Sequence, residues 1–219
     1  MNADRPILVR PSHMKTFAVA LLLVSCLWGH SAAVNDLDEF DNQMSSFYLS
    51  PSENAFQIFQ KRAIQFQNKL EGSKNGADLL VAVMIARASQ TYGWPIADSV
   101  FGDKAKEIIA GKSPLAMYVS DDSRVDPTKL DIWWASFLAT GDTLFLEKIF
   151  VYVGHELPKD NINKMLVIGA ATWSFKSNCK QHKKVLEFAK IKLGLVSISE
   201  SQRKFLKECI AYAESGNSN

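Results

Sequence analysis

Residues 130–142 read LDIWWASFLATGD, and the fold turns on whether the paired tryptophans line a ligand site or a helix core. Leu130, Trp133, Trp134, Phe137 and Leu138 fall at i, i+3, i+4, i+7 and i+8, the broad apolar stripe of a helix that faces a core. Gly141 stands where such a helix ends, and glycine takes the left-handed closing conformation without steric cost. Asp142 can cap the next helix, which carries Phe145, Leu146, Ile149, Phe150 and Val153 at helical spacing. Upstream, Asp126-Pro127 supplies an N-cap and a first-turn proline. The stretch reads as helix, tight turn, helix, with the tryptophans inside.

The same punctuation extends in both directions. In SPSE, Ser50 reads as an N-cap, Pro51 as the first helical residue and Glu53 as the close of a capping box. Phe56, Phe59, Ala63, Phe66 and Leu70 follow at helical spacing, with Gly72 as the stop. A second helix is expected over 77–92, with Leu79, Leu80, Val83 and Met84 inward and Gly93 at its end. A short helix over 103–110 closes at Gly111, and residues 112–126 read as an ordered loop. Beyond Pro158, Asp160 caps a helix over 161–177 with Ile162, Met165, Leu166, Gly169 and Trp173 inward. A break at Ser177-Asn178 leads into a helix to Leu193, and Ser199 with Gln202 boxes the start of a last helix through Ala213. The fold class is all-α: antiparallel helical hairpins in an α-solenoid-like array or a compact orthogonal bundle, one domain over 50–214. The hairpins opening at Asp126 and Asp160 are 34 residues apart, but their patterns match too poorly to make a repeat.

The N-terminus reads as an address. Phe17 to Trp28 is an uncharged run of twelve, short of the roughly 20 residues a span needs. Lys15 precedes it, and Ser31 and Ala33 place small residues before a cut at Val34, the layout of a signal peptide over 1–33 with its start at Met14. A competing cut lies at Leu23 to Cys26, the pattern of a lipidated cysteine. Residues 34–49, acidic and irregular, read as a flexible lead-in, and 215–219 as a disordered tail. Cleavage takes Lys plus Arg from 25 to 22 and Asp plus Glu from 23 to 22, so the mature chain is neutral. That balance argues against nucleic acid as a partner. It is unevenly spread: residues 161–219 carry 10 basic and 4 acidic groups, while 34–160 carry 12 and 18.

Chemistry is sparse. The chain has no G-x-S-x-G, phosphate loop, G-x-G-x-x-G or C-x-x-C, and so no cofactor is expected. His155-Glu156 matches half of a zinc-protease signature, but position 159 is lysine and Pro158 would break the helix. Cys179 and His182 offer two metal ligands where a structural zinc needs four, so His182 reads as a packed histidine. The residues with binding chemistry gather in the loop: Tyr118, Asp121, Asp122 and Arg124. A site there would hold a protein or peptide, or, on the enzyme reading, an acid/base pair. Lys176, Lys180, Lys183 and Lys184 form a basic patch that reads as a solvated face.

The segment Trp134 to Gly141, W-x-x-F-x-A-T-G, and the later Trp173 to Asn178, W-S-x-x-S-N, resemble segments of exported all-helical proteins of Gram-negative bacteria. The resemblance spans about residues 125 to 190. It implies an exported address and an all-helical fold, and it transfers no site.

Cys179 and Cys209 survive cleavage and form a candidate disulfide in an oxidising compartment. If the last two helices pair about a turn near 196, the residue opposite Cys179 is near 214. Five helical residues are about 7.5 Å of offset, beyond the roughly 7 Å that a disulfide spans. The bond then requires Cys179 to sit in a bend at Ser177-Asn178.

Overall fold

Polar caps and left-handed glycines set the helix ends. In this computed structural model, which describes residues 32–71 and 76–215, the chain is all-helical, with eleven α-helices and no strand among the described residues. Residues 1–31 of the expected signal peptide, with its Met14 start and the Cys26 alternative, the Gly72 stop and the tail beyond 215 lie outside them, whereas Ala32 and Ala33 are helical. In order the helices are α1 (Ala32–Ser46), α2 (Glu53–Gln65), α3 (Gln67–Glu71), α4 (Ala77–Tyr92), α5 (Val100–Ala110) and α6 (Pro114–Ser120). Then come α7 (Pro127–Thr140), α8 (Leu144–Phe150), α9 (Ile162–Gln181), α10 (Lys183–Leu193) and α11 (Glu200–Glu214). A 3-10 turn, Phe47–Leu49, separates α1 from α2.

The helix–turn–helix reading of 126–150 matches the structure. The Asp126 carboxylate accepts from the Lys129 N–H, and Gly141 closes α7 at φ 68°. Asp142 accepts the Leu144 N–H at 2.9 Å from two residues ahead of α8, and the cap position itself falls to Thr143. Ser199 and Gln202 form the expected capping box of α11.

Other boundaries differ, each for a local reason. Residues 34–46, read as a flexible lead-in, lie in α1. The acidic density hides Phe40, which is fully buried and stacks on Phe59 at 5.4 Å, and Glu39 pairs with Arg62 at 2.6 Å. The N-cap of α2 is Ser52 rather than Ser50, its hydroxyl accepting from Ala55 N. Residues 114–120, placed in a loop, form α6, about two turns begun by Ser113 and Pro114. The cap of α9 is Asn161, and the helix runs through Ser177-Asn178 to break at His182.

The largest difference is the register of α9. Val167, Ile168, Ala171, Ser174, Phe175, Asn178 and Cys179 are buried. Ile162, Met165 and Trp173, expected inward, are exposed at 72%, 36% and 48%. The helix is apolar on two opposite faces, so periodicity alone gives no sign of which one the core takes.

The interior divides into two clusters that share α7. One gathers α1, α2, α4, α5 and α6 with Ile132, Ala135 and Ala139 of α7. The other gathers α8 to α11 with Leu130, Trp133, Trp134 and Phe137. Helix α7 touches α1, the 3-10 turn, α4, α8 and α9, and ten of its residues are buried. It has no wet face, which is why two charged residues in it, Lys129 and Asp131, command attention.

Candidate functional site

The short helix α6, the loop 121–126 and the start of α7 bring part of the sequence-predicted site together. The Tyr118 hydroxyl donates to both Asp126 oxygens, at 2.9 and 3.1 Å, while Asp126 caps α7. Burial, and then the carboxylate that accepts its proton, push the Tyr118 phenol up to about 12. Tyr118 is thus a fixed donor. Asp121 folds back to accept the Ser123 N–H at 2.8 Å, a turn-forming bond. That bond, made with both the side chain and the backbone of Ser123, holds Asp121 below its ordinary value. Asp121 and Arg124 are both exposed, and Asp121 reaches the network below only through its charge, which acts on Lys129.

Asp122 is the hub. Its Oδ1 accepts from the Trp133 indole at 3.2 Å and its Oδ2 from the Lys148 ammonium at 2.6 Å, with Lys129 Nζ 3.7 Å away. Partial burial raises this carboxyl, but the Lys148 ammonium, the indole and Lys129 outweigh it and hold it below the usual range. Trp133 in turn stacks on Tyr152 at 6.2 Å. One loop carboxylate therefore ties α7 to α8.

Lys129 completes the frame from beneath. Although fully buried, it donates to the carbonyls of Tyr118 at 2.6 Å and Val119 at 3.0 Å, the orphan acceptors at the end of α6. Its ammonium also sits 5.4 Å from the Tyr118 ring centroid. Burial lowers its pKa, against the pull of Asp122 and Asp121. Replacing it with methionine keeps the stem and removes the donor. The expected cost is about 1–3 kcal/mol in a urea titration, with amide exchange of residues 114–125 accelerated well before that of α4. Unchanged exchange there would show that Lys129 does not hold α6.

Sequence reading missed Lys129, Asp131, Trp133 and Lys148 as members of this cluster. Asp131 is buried, and burial, with the nearby Asp126 charge, pushes its carboxyl up to about 7. Arg87 of α4 lies within range of the Asp122 charge, and its Nε is buried with no hydrogen-bond partner. The available signal was two charged residues inside a helix otherwise apolar on every side. The partners of Lys129 come from α6 and the loop, which one sequence does not align.

The histidines and cysteines sit elsewhere. His182 is buried with its Nδ1 3.3 Å from the Tyr48 hydroxyl, and burial lowers its pKa. Cys179 and Cys209 are free, buried and side by side, the Cys209 thiol and then burial pushing the Cys179 pKa up. The offset argument against their meeting fails because α11 packs on α9 as well as α10. Cys179 reaches it from the last turn of an unbroken α9, with no bend at 177. Among the described residues, no three His, Cys, Asp or Glu side chains converge as metal ligands.

A groove of about 540 Å³ runs between α2 and residues 95–97. Gln60 forms its floor, donating to Pro95 O at 3.2 Å and accepting from Ala97 N at 2.7 Å, so its polar atoms are already used. It is remote from the Asp122 cluster in sequence and in lining residues. Comparison with family models, curated proteins and solved structures finds no match to this chain.

Proposed function

We propose that the chain is an exported, non-catalytic helical protein of the bacterial envelope or secreted fraction, and that it works by binding a partner through the outer face of α9. One observation carries this reading: α9 turns Ile162, Met165 and Trp173 to solvent while a second apolar face of the same helix fills the core. Exposed apolar side chains aligned on one helix mark an interaction surface. In the 112–126 loop, by contrast, the polar groups of Tyr118, Asp121 and Asp122 are engaged in holding the chain together. We read the helices as hairpins wrapped around α7 in a compact bundle. An open solenoid restricts each repeat to its neighbours, whereas α7 contacts α1, α4 and α9. Export also brings Cys179 and Cys209 into a compartment that favours their oxidation.

A photo-crosslinking residue at position 173, in full-length protein made by the producing cell, tests the binding face. Adducts are expected there and not from the same residue at Met117, which is exposed at 61% on α6. No adduct at 173, of protein or lipid, would overturn the binding role of this face. The recovered chain is expected to begin at Val34, and an intact Met14 start would remove the exported part.

A second reading, an enzyme built around residues 112–126, draws on Asp131, which keeps its proton up to about pH 7 beside Asp126. A turnover lost in Asp131→Asn while the fold holds would establish it instead.

A further inference from the structure

The outer face of α9 is graded along its length. Ile162, Met165, Gly169 and Trp173 follow one line at helical spacing, and Lys176 and Lys180 continue it for one and two further turns. The apolar part covers about 16 Å and the whole line about 27 Å at 1.5 Å per residue. Tyr212 of α11 flanks the cationic end, 43% exposed, with the Lys176 and Lys180 ammoniums 5.5 and 4.9 Å from its ring centroid.

Charge and shape narrow the occupant. Residues 161–186 hold five lysines and no carboxylate. Two nearby carboxylates, Glu187 and Glu214, pair with Lys183 and Lys190 instead. At the middle of the line a side chain added to Gly169 would meet nothing within 4 Å, so no wall rises beside the face. A protein hot spot needs a pocket to enclose its anchor. A convex strip with an aliphatic start, a tryptophan past its middle, and lysines beside a tyrosine at its end fits a different surface. It matches the zones of a bilayer interface, where apolar chains dip in, aromatic rings sit at headgroup depth and lysines reach anionic headgroups. No helix among the described residues is long and apolar enough to cross a membrane, so the contact would be peripheral.

We infer that the Ile162–Lys180 face of α9, with Tyr212, docks on an anionic phospholipid surface. This rests on the proposal that the face binds a partner at all, and names the partner.

The test is sedimentation of the full chain with vesicles of phosphatidylglycerol mixed with phosphatidylcholine, and with phosphatidylcholine alone. Fluorescence is read in parallel, because Trp173 is the one exposed tryptophan among the described residues. Binding is expected only to the anionic vesicles, with a blue shift absent from Trp173→Ser. Lys176→Gln with Lys180→Gln is expected to lower partitioning roughly thirtyfold, at about fivefold per lysine, and added salt to weaken it. Both variants alter exposed or half-exposed residues, and unchanged circular dichroism and melting confirm that they fold. No binding to anionic vesicles, or equal binding to both kinds, overturns the lipid assignment. A concentration-dependent dimer lost in Trp173→Ser, or a protein adduct in the crosslinking experiment, replaces the lipid by a protein occupant and leaves the binding face standing.

Discussion

Truncating Trp134 to alanine is expected to lower the unfolding free energy by about 3–5 kcal/mol, measured by urea titration against the parent chain. Trp134 is 3% exposed at the seam between α7 and α9. Two losses combine. The indole fills space against Phe137, edge to face at 6.1 Å, and alanine leaves a cavity there that the surrounding helices only partly close. Its Nε1 also donates to Ser174 Oγ at 3.1 Å, deep in the core. Trp134→Phe retains much of the volume and loses the donor, so it should fall between the two. A loss under about 1 kcal/mol for the alanine variant would place this tryptophan outside the core and reopen the ligand-site reading of residues 130–142.

The second large effect is a gain. Asp131→Asn is expected to stabilise the fold by about 4 kcal/mol near and above pH 7, and by little near pH 4. The folded carboxyl titrates at about 7 against an ordinary 3.8, raised first by burial and then by the Asp126 charge. The folded state therefore binds the proton more tightly than the unfolded one between those values. Its contribution is fully present below about pH 4, is lost as pH rises toward 7, and stays lost above. Asparagine mimics the protonated form and removes the dependence. Subtracting the two stability–pH curves isolates this group from Asp122, whose depressed pKa acts in the opposite sense. Asp41 is also raised to about 7, by burial and then Asp38, so the variant keeps some of the same slope. A flat difference curve would show that Asp131 is solvated in solution.

What the sequence made legible was punctuation. Gly141, the Asp126-Pro127 start and the Ser199–Gln202 box each act within one helical turn, and such signals need no knowledge of the rest of the chain. Burial was legible where one face was apolar and failed where two were. In α9 the visible stripe of Ile162, Met165 and Trp173 is the outer one, and only the docking of α7, α8, α10 and α11 selects the other. Acidic residues masked α1 in a similar way, since Phe40 acquires meaning only against Phe59. The candidate site was half legible. Asp122 was singled out, but Lys129, Trp133 and Lys148 converge on it from α7 and α8, and its visible work is to join helices.

The position of α7 has a consequence for how the chain comes apart. Leu138 touches both apolar clusters, and each cluster draws several side chains from this one helix. A fragment ending before Asp126 would lack Ile132, Ala135 and Ala139 from its interior. A fragment beginning after Gly141 would lack Leu130, Trp133, Trp134 and Phe137 from the other. Neither half owns its centre. Heat or denaturant should therefore melt both in one step, and a protease that cuts within α7 should release two chains that hold structure only while they remain together.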